Sequence, residues 1–157
     1  MVSADNCEGI HHVALVVSDI DQAIEFYSAA FDGAVIKRAA WEVGEGKFDA
    51  LTGLHQSSAK FCLMRFANSY IEIFEYSTGA ASSQVQARAD MQGIRHIAFQ
   101  VKDLERTFER VCQAGGRSVG ESIHVAGGGA ARYCEDPFGN IMELLVPGGK
   151  MPPLEPR

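Results

Sequence analysis

Hydrophobic and polar residues alternate in two stretches of the chain that lie 84 positions apart. His12 of the first stretch corresponds to His96 of the second. Residues 9–20 read GIHHVALVVSDI and residues 93–104 read GIRHIAFQVKDL, with Gly, Ile, His, Ala, Val and Asp at the same places. After each stretch the apolar period changes from two to about 3.6 residues, which is typical of a strand that leads into a helix. The pattern therefore predicts an internal repeat in which each copy opens on a strand and a helix.

Asp19 and Asp103 are the predicted N-caps of these two helices. Their apolar stripes are Ile20, Ala23, Ile24 and Tyr27 in the first helix, and Leu104, Phe108 and Val111 in the second. Strands are then predicted over residues 34–43, 60–66 and 70–76, and over residues 117–125, 131–135 and 141–146. Each copy is thus a βαβββ unit, and the predicted fold is α+β, with two tandem modules packed as a curved mixed sheet around a cleft.

Residues 8–147 are predicted to form one domain that consists of two modules and the linker between them. Module one covers residues 8–76, module two covers residues 93–147, and between them residues 77–92 form a linker rich in Ala, Ser and Gln with room for a short helix. Residues 148–157 are predicted to be an extended tail because they carry three of the five prolines.

Composition excludes several classes of partner. The chain has 20 acidic and 14 basic residues and a formal net charge of −6, without a basic cluster that would neutralise nucleic-acid phosphates. It has no apolar run near the roughly 20 residues that span a bilayer, and its first residues are polar and acidic. Its four cysteines are scattered without a C-x-x-C pair. We therefore expect a soluble cytoplasmic protein with reduced thiols that binds neither nucleic acid nor membrane.

Two imidazoles and two carboxylates recur at equivalent places in the repeat. Strand alternation puts His12 and His96 on the face opposite the helix, and Glu72 and Glu143 each lie within an apolar closing strand. Any one of these residues alone is more often structural or solvated than a ligand. Because both copies have a His early and a Glu late, their joint pattern favours a divalent-metal site with two nitrogen and two oxygen donors in one cleft.

The duplicated I-x-H-[IV]-A strand, the Asp-capped helix and the D-P-F-G-N-x-x-E-L ending at residues 136–144 resemble the vicinal oxygen chelate superfamily. This superfamily includes glyoxalase I, methylmalonyl-CoA epimerase, extradiol dioxygenases, and fosfomycin and bleomycin resistance proteins. The resemblance implies that one metal ion, either Zn²⁺, Ni²⁺, Co²⁺, Mn²⁺ or Fe²⁺, is bound by His12, Glu72, His96 and Glu143. It also implies a homodimer, which exposed strand edges would permit.

Resemblance to glyoxalase I and the epimerase favours a lyase or isomerase. Such an enzyme chelates two adjacent substrate oxygens and removes a proton next to a carbonyl, with Glu143 as the first candidate base and Glu72 as the second. An extradiol Fe(II) dioxygenase is the main alternative, since His12, His96 and Glu143 would supply its triad. His124 and Tyr133 would then have acid and base roles. A third alternative is a non-catalytic protein that binds or sequesters a small molecule.

Other residues carry weaker predictions. Gly127–Gly129 is predicted to be either a connection between strands or a mobile lid. His11 is expected to be structural and His55 solvated. Arg65 and Lys60 are candidates to meet an anionic substrate group. The candidate substrate-binding residues are Trp41, Phe66, His124, Arg132 and Tyr133.

Overall fold

The computed structural model describes residues 7, 9–77 and 88–155, which contain two mixed sheets. Module one contains β1 (His12–Val16), α1 (Ile20–Phe31), β2 (Ala34–Trp41), α2 (Gly46–Thr52), β3 (Ala59–Arg65) and β4 (Tyr70–Tyr76). Its sheet has the order β1-β4-β3-β2, in which β1 and β4 are parallel and the other neighbours are antiparallel.

Module two repeats this topology with one strand divided. It contains β5 (His96–Gln100), α3 (Leu104–Gln113), β6 (Arg117–Ser118), β7 (Ile123–Val125), β8 (Gly129–Glu135) and β9 (Ile141–Val146). The sheet order is β5-β9-β8-β6, with β7 also paired to β8 and with β5 parallel to β9. The predicted α+β class and the tandem modules are confirmed, although the strands form two sheets rather than one.

The helices start where the sequence predicts. Asp19 Oδ1 accepts a hydrogen bond from Gln22 N at 3.0 Å, and Asp103 Oδ1 accepts one from Arg106 N at 3.0 Å. The predicted stripe of α1 is buried throughout, as are Leu104 and Val111 of α3, while Phe108 is partly buried. Capping and amphipathic spacing therefore orient both helices onto the inner face of their sheets.

Two local predictions differ from the structure. The strand predicted over residues 117–125 is interrupted between β6 and β7, where the Arg132 guanidinium donates to the hydroxyls of Ser118 and Ser122. Helix α2 has no counterpart in the sequence prediction. Because α2 buries none of its residues, it has no apolar stripe that a periodicity argument would detect.

The modules pack against each other through their helices. The rings of Phe31 and Phe99 stack with centroids 3.9 Å apart, and the Arg110 guanidinium donates to Ala29 O at 2.6 Å. Tyr27 Oη donates to the fully buried Asp136 Oδ2 at 2.9 Å, across the module boundary. Strands β1 and β5 share no ladder and border a cavity of about 320 Å³. Helix packing and one shared core thus join the modules, while the edges of β1 and β5 stay unpaired.

The tail after β9 adds no helix or strand up to Glu155, and it begins with a turn in which Met151 N donates to Gly148 O at 3.1 Å. Leu154 N donates to Gln100 Oε1 at 2.6 Å, which ties the tail to β5. Most of the predicted linker, residues 78–87, lies outside the described residues. Within the part of the chain that the structure describes, no helix has the length and apolar character to cross a membrane.

Candidate metal-binding site

Each module places one histidine beside one glutamate on the face of its sheet that points away from the helix. In module one, the parallel register pairs Ala14 with Glu72, so the small alanine leaves space between the side chains of His12 and Glu72. His12 Nε2 lies 3.2 Å from Glu72 Oε2, with side chains 40% and 22% exposed. This partly exposed pair, with His12 on β1 and Glu72 on β4, is therefore open to a ligand.

Module two has the same arrangement. Ala98 is in register with Glu143, and His96 Nε2 lies 3.2 Å from Glu143 Oε2, with side chains 35% and 17% exposed. The same two atoms meet at the same distance in both modules, although the surrounding residues differ. The predicted pairing of a first-strand His with a last-strand Glu is thus present in each half of the chain.

The second nitrogen of each imidazole also has a neighbour. His12 Nδ1 lies 3.0 Å from His11 Nδ1, and His96 Nδ1 lies 3.3 Å from Tyr133 Oη. Such contacts fix the tautomer and orientation of a metal-binding histidine. The His11 ring stacks on Tyr70 with centroids 4.9 Å apart, so it contacts the site rather than the opposite face. Sequence alternation missed this contact because β1 begins at His12, and the rule does not extend to the residue before the strand.

The donor pairs fit a divalent ion in type and spacing. Imidazole nitrogen and carboxylate oxygen are ligands for Zn²⁺, Ni²⁺, Mn²⁺ and Fe²⁺. Two neighbouring ligands, each about 2.1 Å from one ion, lie roughly 3.0–3.4 Å apart, which matches both pairs. Each pair therefore supplies half of a four-donor site.

The prediction that all four donors share one cleft is not met within a single chain. His12 and Glu72 lie on the sheet of module one, whereas His96 and Glu143 lie on the separate sheet of module two. Among residues 7, 9–77 and 88–155, no three His, Cys, Asp or Glu side chains cluster so that they could hold one ion. The physical reason is that helix packing holds the modules together without pairing β1 to β5.

Tyr133 is the predicted substrate-binding residue that lies nearest a donor pair. It is in register with Glu143, and its ring centroid is 4.9 Å from that of His96. Burial, followed by the negative charge of Glu143, raises the pKa of the Tyr133 phenol. The phenol therefore keeps its proton at neutral pH and can donate a hydrogen bond near the site.

Three other predicted substrate residues lie away from the donor pairs. Arg132 is on the helix side of β8, where its guanidinium lies 3.5 Å from the Phe108 ring centroid and near Glu105. Phe66 contacts Phe99 between the modules. His124 is opposite Ala130 in the register, which places it on the same side of the sheet as Arg132. Within one chain, these three residues therefore do not lie beside either donor pair, and their predicted contact with a substrate stays a prediction.

The structure also places Lys60, Arg65 and the glycine-rich segment before β8. Lys60 Nζ pairs with Glu75 Oε1 at 2.7 Å, whereas Arg65 lies exposed on the site face beside Tyr70. Gly127 and Gly128 lie in the hairpin connection between β7 and β8, Gly129 is the first residue of β8, and Gly149 N donates to Gly127 O at 3.4 Å. The connection is therefore packed against the start of the tail.

Trp41 lies on the same face as Glu72, within an aromatic cluster. Its ring stacks on Phe48 of α2 at 4.5 Å and meets the edges of Phe74 and Tyr76 at 6.1 and 5.7 Å. It is only 4% exposed, so the rings around it, and not Trp41 itself, form the accessible surface. The sequence named Trp41 only as a candidate substrate-binding residue and did not predict the cluster, because Phe48 comes from the unpredicted α2.

Comparison with known proteins identifies relatives that share this fold. The chain is 28% identical over 151 residues to a 2-epi-5-epi-valiolone epimerase from Actinomyces sp., covering 89% of this chain and 80% of the relative. It is 27% identical over 145 residues to a putative lactoylglutathione lyase from Brassica oleracea var. gemmifera, covering 91% of this chain. The chain spans 46% of that lyase, less than half its length.

Solved structures show the same architecture. A glyoxalase family protein from Bacillus cereus superposes with a TM-score of 0.83 at 21% identity, covering 95% of this chain and all of the other. The FosX fosfomycin resistance protein from Listeria monocytogenes, in complex with Mn(II) and sulfate, superposes with a TM-score of 0.57 at 23% identity, covering 92% and 96% of the two chains.

The family model described as the Glyoxalase/Bleomycin resistance protein/Dioxygenase superfamily matches residues 9–144. This match includes both donor pairs and nearly all of both modules. The chain therefore belongs to the Glyoxalase/Bleomycin resistance protein/Dioxygenase superfamily.

Proposed function

We propose that the protein is a divalent-metal-dependent lyase or isomerase that acts on a small substrate with two adjacent oxygens. The observation that carries this proposal is the His Nε2–Glu Oε2 pair at 3.2 Å, repeated in both modules. Relatives named as an epimerase and as lactoylglutathione lyases support this class of reaction. A divalent ion held by these donors would act as a Lewis acid and bind the two substrate oxygens.

The proposed site is completed by a second copy of the chain. One chain has two half-sites on different sheets, and the unpaired edges of β1 and β5 are available for contact. In a twofold-symmetric dimer, the His12–Glu72 pair of one protomer would face His96 and Glu143 of the partner subunit, so that each dimer has two equivalent sites. This arrangement provides the four donors that a single chain does not bring together.

Glu143 is the proposed base that removes the proton next to the substrate carbonyl. Its side chain is 17% exposed and lies beside a cavity of about 390 Å³ lined by Ile123, Val125 and Leu145. A molecule that occupies this cavity would therefore lie within reach of the Glu143 carboxylate. Glu72 lies in the equivalent position of module one and would serve the opposite face of the same carbon. Two bases flanking one carbon suit an isomerase.

A test combines metal analysis with proton exchange. Protein purified without a histidine tag is analysed for metals, then incubated in ²H₂O with S-lactoylglutathione or 2-epi-5-epi-valiolone, and deuterium next to the carbonyl is followed by NMR. We expect exchange by the metal-loaded protein and a loss of at least about 10²-fold in Glu143→Gln. Glu109→Gln, on the exposed surface of α3, is the matched control. Unchanged metal content and exchange in both Glu72→Gln and Glu143→Gln would contradict the donor assignment.

The same preparation distinguishes the other functions. Anaerobic loading with Fe(II), followed by catechol and oxygen, would produce a coloured ring-cleavage product if the protein were an extradiol dioxygenase. A binding protein would retain a ligand after chelation of the metal and would show no exchange. Glu72 favours the lyase or isomerase, because the dioxygenase triad requires only one carboxylate and module one contains a second.

A further inference from the structure

The two modules differ on the face that carries the donors. Beyond Glu72, β4 continues with Phe74 and Tyr76 on the same face, and the neighbouring β3 places Phe61 opposite Phe74. In module two, Leu145 follows Glu143 in the position equivalent to Phe74, and Ala131 lies opposite it. The sheet itself therefore does not require aromatic side chains at these positions. We call Phe61, Phe74 and Tyr76 the aromatic wall.

Contacts beneath and beside the wall hold its rings in place. Phe74 lies 5.2 Å from Phe61 and 5.8 Å from Tyr76 between ring centroids. Trp41 of β2 packs against Phe74 and Tyr76 across the small Ala59 of β3. Trp41 Nε1 donates to Ser57 Oγ at 3.1 Å.

A second link ties α2 to this cluster. Ser57 Oγ donates to Asp49 Oδ1 of α2 at 2.5 Å, and Ser57 N donates to the same oxygen at 3.0 Å. Helix α2 also carries Phe48, whose ring stacks on Trp41. These contacts hold α2 against Trp41, so the wall is organised before any ligand binds.

The wall is half-buried and lies close to the donors. Phe74 and Tyr76 are two and four residues beyond Glu72 on one strand, which is roughly 7 and 13 Å along it. This is the span of a small organic molecule. The wall and the carboxylate are therefore placed to contact different parts of the same molecule.

We infer that the aromatic wall binds an apolar, ring-bearing part of the substrate while its adjacent oxygens lie at His12 and Glu72. This inference rests on the proposed function and narrows its substrate class to compounds with a ring or similar apolar group next to the two oxygens. Module two has the smaller Ala131 and Leu145 at the equivalent positions, which leave space for the rest of the substrate.

Two inhibitors test the inference because they share their oxygens and differ in the ring. Mandelate and lactate each have a carboxylate oxygen next to a hydroxyl oxygen, but only mandelate has a phenyl group. Their binding to the metal-loaded protein is measured through the fluorescence of Trp41, the single tryptophan, and by calorimetry. We expect mandelate to bind about tenfold more tightly than lactate, which corresponds to about 1.4 kcal/mol.

The matched variant gives module one the residues of module two. Phe61→Ala combined with Phe74→Leu introduces the side chains found at positions 131 and 145, which the same strand geometry already accommodates. We expect this variant to bind lactate as the wild type does, and to lose most of its preference for mandelate. Metal content and far-UV circular dichroism confirm that the variant is folded and loaded.

The outcomes separate this inference from the proposed function. Equal binding of the two ligands, or a preference unchanged in the variant, would overturn the inference and leave the metal site standing. Loss of dimerisation in the variant, seen by sedimentation, would assign the wall to a contact between copies and also overturn it. A mandelate preference that survives removal of the metal would support the wall but contradict the proposed function. Failure of both ligands to bind would overturn both.

Discussion

Subunit complementation tests most directly whether two copies of the chain share the metal site. One variant loses the donors of module one, through His12→Ala and Glu72→Ala, and the other loses those of module two, through His96→Ala and Glu143→Ala. Each variant keeps only one pair of donors per site. Since the loss of even an outer-shell partner lowers metal affinity about 10–100-fold, the loss of two direct ligands should abolish binding at micromolar metal.

The expected number of metal ions per heterodimer follows from the separation of the donor pairs onto two sheets. In a heterodimer of the two variants, the intact module one of the second variant faces the intact module two of the first. One site then has all four donors and the other has none. We expect about one ion per heterodimer, against about two per wild-type dimer, and about half of the wild-type exchange activity.

The assay uses coexpression with two different affinity tags that do not contain histidine, tandem purification of the heterodimer, and elemental analysis. A reciprocal control pairs the wild type with a variant that lacks all four donors. Sharing between copies predicts no intact site in that heterodimer, because each site then has only two donors. Metal bound by the control but not by the first heterodimer would refute the reasoning and place the complete site within one chain.

Three further predictions concern stability and the support of the site. Tyr27→Phe removes the buried hydrogen bond to Asp136 and should lower the free energy of unfolding by about 1–3 kcal/mol in urea denaturation. Burial raises the pKa of the Cys134 thiol from 9.0 to about 12. The folded state thus retains this proton more strongly, so stability is fully present below pH 9.0 and should decline as pH rises from there toward 12, with a smaller slope in Cys134→Ala. Tyr133→Phe removes the hydroxyl next to His96 Nδ1 and should weaken metal binding about tenfold or more in a chelator-competition titration.

Controls for these three predictions come from the same chain. Tyr76→Phe changes a partly exposed tyrosine outside both the module boundary and the His96 contact, so its unfolding free energy should stay within about 0.5 kcal/mol of the wild type. Equal stability losses in Tyr27→Phe and Tyr76→Phe would contradict the role of the Asp136 contact. An identical alkaline slope in Cys134→Ala and wild type would show that other groups cause the decline. Unchanged metal affinity in Tyr133→Phe would exclude a positioning role for its hydroxyl.

Within the D-P-F-G-N segment, the side chains of Asp136 and Asn140 and the positive φ of Gly139 each have a structural role. Asp136 Oδ1 accepts from Phe138 N and Asn140 N, each at 2.9 Å, while Oδ2 accepts from Asn140 Nδ2 at 2.7 Å and from Tyr27. Gly139 has φ of +85°, which glycine adopts without strain. The turn therefore orients β9, which carries Glu143, and anchors it to α1 of the other module.

Most of the local elements and the faces that carry the four donors were predictable from short-range rules, whereas the pairing of each His with its Glu was predictable only from the internal repeat. Alternation assigned His12 and His96 to the site face, and the repeat predicted their pairing with Glu72 and Glu143. Side-chain period and helix capping act within a few residues, so a single sequence contains the whole signal. The same is true of the strands Tyr70–Tyr76 and Ile141–Val146, whose bounds agree with the prediction.

Tertiary structure alone decided how the modules meet and which residues surround the donors. Phe31 of α1 stacks on Phe99 of β5, and Arg110 of α3 donates to Ala29 O of α1. Because β1 and β5 do not pair with each other, the two donor pairs lie on separate sheets of one chain. The contact of Arg132 with Phe108 places its side chain on the helix side of β8, and His11 contacts His12 from the residue before β1. These features depend on packing between segments distant in sequence, where many arrangements bury similar apolar area and local periodicity does not choose among them.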